Sequence, residues 1–212
     1  MEGSKNLNRL TAIIIIIAFH AVGLFGLNFS PFKNYFLPLV PYHLLLMLGV
    51  LVFSHRGINL KLFFFIVLVF VVGYAAEWVG VHTGLLFGNY AYGNTLGRKI
   101  DGVPIIIGVN WFILIYSAGV FMQRRFLKKR WMRIVFGAFA LSLLDVLIEP
   151  SAIRFNYWHW ADNVVPITNY LCWFVLSAVL LLVFEQIRFR RQSIVGEVFL
   201  MVEFAFFALL LV

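Results

Sequence analysis

Three carboxylic acids inside apolar segments are the side chains best suited to chemistry. Glu77, Asp145 and Glu149 interrupt long apolar runs in a chain of which only 12% is charged. A charge near the bilayer centre costs up to about 3 kcal/mol, so such acids are retained where they are paired or used. On a helix Asp145 and Glu149, four residues apart, would project from one face, where repulsion favours keeping one proton. We therefore predict all three as catalytic residues, one acting as a general acid.

Amide and aromatic side chains accompany these acids, and they allow two interpretations. Trp and Tyr form belts at membrane interfaces for reasons unrelated to catalysis. Alternatively, they line a slot for a long apolar ligand, where their π-faces stabilise a carbocation. Aromatic rings beside acids are what protonation of an alkene requires. The predicted substrate-binding residues are His82, Tyr90, Tyr92, Asn110, Trp111, Trp158, Trp160, Asn169 and Trp173.

Patterns for metal or cofactor binding are missing from the sequence. His82 and His159 have neither the spacing of helical metal ligands nor a cysteine partner. Cys172 is the single cysteine, so neither an internal disulfide nor a thiolate cluster can form. No phosphate loop, nucleotide fingerprint or serine nucleophile elbow is present. We expect chemistry without a metal or cofactor, and we interpret His20 and His43 as hydrogen-bonded packing residues.

Apolar runs of helical length must position these side chains. With 63% hydrophobic residues, the chain has too little polar surface for a soluble globule. Runs of roughly 20 residues suit helices that cross about 30 Å of hydrocarbon, and the runs do not alternate as barrel strands do. The sequence predicts an all-α polytopic transmembrane helix bundle of about seven helices, forming a single domain over residues 1–212. The predicted spans lie near 10–29, 37–54, 61–79, 104–122, 132–149, 165–187 and 194–212.

The distribution of cations predicts the orientation. The net charge of +8 would also fit a nucleic-acid partner, but the cations lie between the apolar runs. Thirteen of the 17 Lys and Arg residues fall in one alternating set of loops, which predicts a cytoplasmic N-terminus and contact with anionic lipid headgroups rather than nucleic acid. The acids and the loops 80–103 and 150–164 would then lie toward the extracytoplasmic face.

Two longer patterns resemble a known family. The first runs from Glu77 as Glu-x-x-Gly-x-x-Thr-Gly-x-x-Phe-Gly-x-Tyr and continues to Asn110-Trp111. The second is Asp145-x-x-x-Glu149-Pro, followed by Trp158-His-Trp160, Pro166, Asn169-Tyr170 and Trp173. Together these patterns cover residues 70–175, and they resemble the CruF-type hydratases of the carotenoid biosynthesis family.

The resemblance implies a bacterial or archaeal enzyme of the cytoplasmic membrane that adds water to the terminal double bond of an acyclic carotenoid end group. A carboxyl group would protonate the alkene, and water would capture the tertiary cation. The favoured substrate is a monocyclic carotenoid with one acyclic end, and the second is a longer bacterioruberin-type precursor. Carotenoid and membrane lipid are the expected partners, and the resemblance leaves association with other carotenoid-pathway enzymes open.

Two other functions fit the same residues. A carotenoid end-group cyclase would also begin by protonating an alkene in a helix bundle, but its product would have the mass of its substrate. A non-catalytic carotenoid-binding membrane protein would leave the pigment unchanged. Which of the three acids donates the proton does not follow from the sequence.

Overall fold

The computed structural model describes residues 7–125, 129–161 and 163–212, and its dominant element is the α-helix. Six helical segments in this part of the chain are long and apolar enough to cross a membrane. One of them, Pro31–Phe53, joins a short helix to a long one through a single 3₁₀ turn at Leu37–Leu39. The prediction of an all-α membrane bundle is confirmed. The helices are Arg9–Asn28 (α1), Ser30–Phe36 (α2), Val40–Phe53 (α3), Leu60–Thr83 (α4), Ile106–Arg125 (α5), Arg130–Arg154 (α6), Ile167–Ile187 (α7) and Val195–Leu210 (α8).

Each predicted span overlaps one helix, although α8, with 16 residues, is not among the six spanning segments. Three helix ends, those of α4, α5 and α6, lie further along the chain than predicted. Helix α4 continues to Thr83, where Gly84 adopts a left-handed backbone (φ +66°) that ends it. Helix α6 continues through Pro150 to Arg154. A proline lacks the N–H that would bond to the carbonyl four residues earlier, so α6 lacks one backbone hydrogen bond at this position. The extensions of α4 and α6 lengthen the two helices that carry the predicted catalytic acids.

Helix α5 forms the centre of the bundle. Of its most apolar stretch, 83% is buried, compared with 17–33% for the other five spanning segments. Gly108 and Gly119 let the rings of Phe70 and Phe184 lie directly against the α5 backbone. The surrounding helices present apolar side chains outward, as a protein dissolved in lipid requires.

A polar cluster joins α1, α3 and α8 inside the bundle. His20 Nδ1 donates to the Ile16 carbonyl at 2.7 Å, and His20 Nε2 lies 3.2 Å from Glu203 Oε1 and 3.4 Å from His43 Nε2. His20 and Glu203 are almost fully buried. The two histidines therefore lie in hydrogen-bonded helix packing, as the sequence led us to expect.

His55, in the turn between α3 and α4, makes the stability of the fold depend on pH. Its side chain is buried and its Nδ1 lies 2.8 Å from the Tyr116 hydroxyl. Burial lowers the pKa of His55 to about 4, whereas an unfolded histidine titrates near 6.5. Between these values the unfolded chain binds the extra proton, so stability must fall as the pH drops through this window. Above about pH 6.5 the contribution of His55 is constant.

We expect His55→Gln to remove part of the acid destabilisation. The wild type should lose more thermal stability than the variant between about pH 7 and about pH 5, because glutamine does not titrate. Thermal unfolding in detergent at both pH values measures the difference. Equal losses in the two proteins would exclude His55 as the group responsible.

Two short antiparallel strand pairs lie in the connections at one end of the bundle. Strand β1 (Tyr90–Tyr92) follows α4 and pairs with β4 (Trp158–Trp160), which follows α6. Between them in the chain, β2 (Lys99–Ile100) pairs with β3 (Val103–Pro104). The β1–β4 pair thus joins two connections that are far apart in the sequence.

Candidate active site

The β1–β4 pair, which we call the aromatic ribbon, presents four aromatic side chains on one face. Tyr90 pairs with Trp160 and Tyr92 pairs with Trp158, and their ring centroids are 5.2 and 6.1 Å apart. Because side chains alternate along a strand, the residues between them, Ala91 and His159, point the other way, and both are exposed. The ribbon therefore covers the end of the bundle with rings whose polar atoms face the helices.

Glu77 on α4 accepts hydrogen bonds from three aromatic donors. Tyr90 and Tyr92 donate to its Oε2 at 2.6 and 2.7 Å, and Trp111 Nε1 donates to its Oε1 at 3.0 Å. Burial and the neighbouring Glu77 carboxylate raise the pKa of both tyrosines far above its usual value, so the phenols keep their protons and donate. Three donors on a side chain that is 5% exposed suit an ionised carboxylate.

Glu149 on α6 is held in a similar way from the other strand of the ribbon. Trp158 Nε1 and Trp160 Nε1 donate to its Oε2 at 3.0 and 2.9 Å. An indole nitrogen can only donate, so any proton on Glu149 must reside on Oε1. That oxygen lies 3.2 Å from Asn169 Nδ2. Each strand of the aromatic ribbon thus binds one of the predicted catalytic acids.

Asp145 lies one helical turn before Glu149 and is completely buried. Its Oδ2 accepts from Asn169 Nδ2 at 2.6 Å, and among the described residues its Oδ1 has no hydrogen-bond partner. The same amide nitrogen therefore contacts both acids. Two buried carboxyl groups that share one donor repel each other when both are ionised, and this arrangement favours one proton held between them.

A small cavity lies between these acids and the aromatic ribbon. The centre of a water molecule can move through about 20 Å³ of it, which is room for one or two waters. Carboxyl, amide and aromatic groups meet on its wall, which is otherwise apolar. The residues that line the cavity are Glu77, Phe87, Tyr90, Tyr92, Ile107, Asn110, Glu149, Trp158, Trp160, Asn169 and Trp173.

Nine of the twelve residues singled out from the sequence line this cavity, and three do not. Asp145 lies behind Asn169, and Trp111 lies beneath Glu77 with its ring stacked on Trp173 at a centroid distance of 4.3 Å. Phe87 and Ile107 line the cavity but were not among the predicted residues. Phe87 is part of the Phe-Gly step of the first motif, which could have identified it.

His82, the third residue outside the cavity wall, belongs to a small cluster on the outside of α4. Its ring stacks on Trp78 at 4.5 Å, and its Nε2 lies 3.3 Å from Asp101 Oδ2. Trp78 Nε1 donates to the same oxygen at 2.7 Å. This hydrogen bond, helped by His82, lowers the pKa of Asp101. Asp101 therefore stays ionised and joins the 99–104 connection to α4.

We expect loss of one ribbon donor to weaken the site measurably. Trp160→Phe keeps a ring in place but removes one of the two N–H groups on Glu149 Oε2, so we expect a roughly tenfold loss of turnover, in line with one hydrogen bond to a charged group. His159→Ala, on the opposite face of the same strand, is the matched control and should stay near wild type. The steady-state reaction rates of the two variants test this expectation. A Trp160→Phe rate equal to that of His159→Ala would argue against a role for the indole N–H.

Comparison with known proteins adds information that is independent of this geometry. A family model described as carotenoid biosynthesis protein matches residues 39–212. Bisanhydrobacterioruberin hydratase of Haloarcula japonica is 28% identical over 119 residues, and the alignment covers 53% of this chain and 41% of that protein. The matched region is therefore less than half of the relative. No solved structure gives a significant match.

Proposed function

The chain belongs to the carotenoid biosynthesis protein family, and we propose that it is a carotenoid hydratase that adds water to the terminal double bond of an acyclic end group. The relative from Haloarcula japonica, itself named as a hydratase, supports this reaction class. The observation that carries the proposal is the cavity with two buried carboxyl groups, Glu77 and Glu149, on an aromatic wall. Acid, carboxylate and π-faces around a water-sized space are the parts that hydration of an alkene needs.

In the proposed first step, the Asp145–Glu149 pair supplies the proton. Glu149 delivers it from Oε1, because Glu149 lines the cavity and Asp145 does not. The π-electrons of the terminal double bond form the new C–H bond at the less substituted carbon. The positive charge then resides on the dimethyl-bearing carbon, a tertiary cation. Asp145 acts through Glu149, since it shares Asn169 with it and favours retention of one proton by the pair.

The cation must then last until water attacks. The ionised Glu77 carboxylate and the faces of Tyr90, Trp160 and Trp173 surround the reacting carbon with negative potential. Asn110 orients the water. As the water oxygen bonds to the cationic carbon, its surplus proton returns to the Asp145–Glu149 pair. The product is a tertiary alcohol, and the enzyme recovers its starting state.

This chemistry uses side chains alone, so we propose that the enzyme needs no cofactor. The excess of Lys and Arg in one set of loops supports a cytoplasmic N-terminus. The aromatic ribbon and the cavity would then lie toward the extracytoplasmic face of the cytoplasmic membrane. The substrate reaches the cavity from the lipid, because a carotenoid dissolves in the hydrocarbon core.

Pigment analysis tests the function directly. The chain is expressed in one bacterial host that makes an acyclic carotenoid and in another that makes a monocyclic one. The extracted pigments are separated by chromatography, and their masses are measured by mass spectrometry. A product heavier by one water supports the hydratase, and growth in ¹⁸O-water should place the heavy oxygen in it. A product of unchanged mass with altered absorption would indicate a cyclase. Unaltered pigment in both hosts, with the protein present in the membrane, would indicate a binding protein.

A further inference from the structure

Two glycines flank Glu77 on the same face of α4. Gly73 lies four residues before Glu77 and Gly80 three residues after it, so all three project from one side of the helix. Both glycines are buried. Glycine is a poor residue for a helix interior, so its presence twice around one acid needs a reason. At each position the reason is an aromatic side chain that hydrogen-bonds to Glu77.

Gly73 makes room for Trp111. A Cβ atom at position 73 would lie 2.5 Å from Trp111 Cγ and 2.6 Å from Trp111 Cβ, closer than real Cβ contacts come. The indole has little freedom to retreat, because Trp173 stacks on it with an angle of 24° between the rings. The Nε1 of this same ring donates to Glu77 Oε1. The space at Gly73 therefore fixes the position of the donor on one carboxylate oxygen.

Gly80 makes room for Tyr90 in the same way. A Cβ atom there would lie 2.8 Å from the Tyr90 hydroxyl oxygen and 2.7 Å from Phe87 Cδ2. That hydroxyl donates to Glu77 Oε2, and both aromatic residues line the cavity. Gly80 therefore governs the other carboxylate oxygen.

We propose that Gly73 and Gly80 are positioning residues that set the donors on the two oxygens of Glu77. This inference rests on the proposed function, in which the Glu77 carboxylate stabilises the cation. A methyl group at position 73 would push the indole off Oε1, because the α4 backbone cannot yield. Glu77 would then keep its place in α4 but lose a donor. The chemical step should slow, while substrate binding should change little.

Gly73→Ala is the decisive variant, and the chain offers two matched glycine controls. Gly49 in α3 has no atom within 4 Å of a Cβ position, so Gly49→Ala adds a methyl group to open space. Gly119 in α5 is as crowded as Gly73, because the three atoms nearest to its Cβ position all belong to the Phe184 ring, the first at 2.6 Å, and Phe184 does not line the cavity. Gly119→Ala thus reproduces the crowding without touching the site.

We expect Gly73→Ala to lower kcat roughly tenfold or more with KM little changed, as loss of a group that acts mainly in the transition state should. Gly119→Ala should lose thermal stability but keep its kcat per folded molecule, and Gly49→Ala should match the parent protein. Normal kcat in Gly73→Ala, or an equal fall of kcat in Gly119→Ala, would overturn the inference. If the parent protein converts no pigment, the proposed function fails and this inference fails with it. If the parent is active but Gly73→Ala keeps a normal kcat, only this inference fails, so the two failures are distinguishable.

A double-mutant comparison tests Gly80 through Tyr90. If Gly80→Ala acts by moving the Tyr90 hydroxyl, it should lower kcat less in a Tyr90→Phe background than in the parent. This result would distinguish positioning of the donor from general loss of packing. If the effects of Gly80→Ala and Tyr90→Phe on kcat are fully additive, Gly80 acts independently of that hydroxyl, and Gly80 is then removed from the proposal.

Discussion

Glu149→Gln is expected to lower hydration at least about 1000-fold, within the range found for loss of a general acid. Glutamine keeps the shape and can still accept from Trp158 and Trp160, whose indoles donate to Oε2. It has no acidic proton to give to the alkene. Initial rates of water addition in membranes, normalised to the amount of folded protein, measure the loss.

Asp145→Asn should differ from Glu149→Gln in kind. The proton donor remains, so we expect a smaller loss, roughly 10- to 100-fold. Equal losses in the two variants would contradict the assignment of the donor to Glu149.

Glu203→Gln is the control for these acid-to-amide variants. Glu203 is also an almost buried carboxyl group within the bundle, but it bonds to His20 and lies outside the cavity wall. We expect its rate to stay within about threefold of wild type, although its stability should fall because a partner of His20 changes. A loss of rate as large as that of Glu149→Gln would mean that the fold, and not the site, limits the measured activity.

The second large effect is expected at Glu77. Glu77→Gln should lower kcat roughly 100- to 1000-fold, the range for removal of a group that stabilises developing charge. The variant loses the negative charge beside the cation. Its NH₂ group must also face either the two phenols or the indole N–H, all of which act as donors on Glu77. The variant should therefore be less stable than wild type as well as slower.

Product analysis separates the role of Glu77 from that of Glu149. A cation that is formed but poorly stabilised returns its proton or loses another before water arrives. Exchange of deuterium from solvent into recovered substrate should therefore rise relative to hydration in Glu77→Gln, whereas Glu149→Gln should show neither reaction. If the ratio of deuterium exchange to hydration in Glu77→Gln equals that of the wild type, the assignment of Glu77 as the stabilising carboxylate is contradicted.

Composition and spacing were sufficient to predict the bundle and the location of the three acids within its helices. A helix is a local structure, and apolar runs of spanning length leave few alternatives in lipid. The same argument located Asp145 and Glu149 on one helix face. It could not separate the roles that we propose for them, since these depend on Asn169, a residue of α7 whose single amide nitrogen contacts both.

The aromatic ribbon lay beyond the reach of the sequence. Three-residue strands are too short for alternation to identify them, and a pair between connections 70 residues apart has no local pattern. The Trp and Tyr residues therefore fitted an interfacial belt equally well. His82 illustrates a related difficulty. It follows Glu77 by five residues, and because α4 continues to Thr83 it lies about 140° around the helix from that acid.

The strand register between Tyr90 and Trp160 also has a consequence for biogenesis. Helices α4 and α5 can enter the membrane as soon as they are synthesised, but Tyr90 and Tyr92 have no partner strand until α6 and Trp158–Trp160 have followed. The site is thus a late product of assembly, completed when these two connections meet at one end of the bundle. Under the proposed function, a nascent chain could not protonate carotenoids in the surrounding lipid until α6, the second strand of the ribbon and α7 were in place.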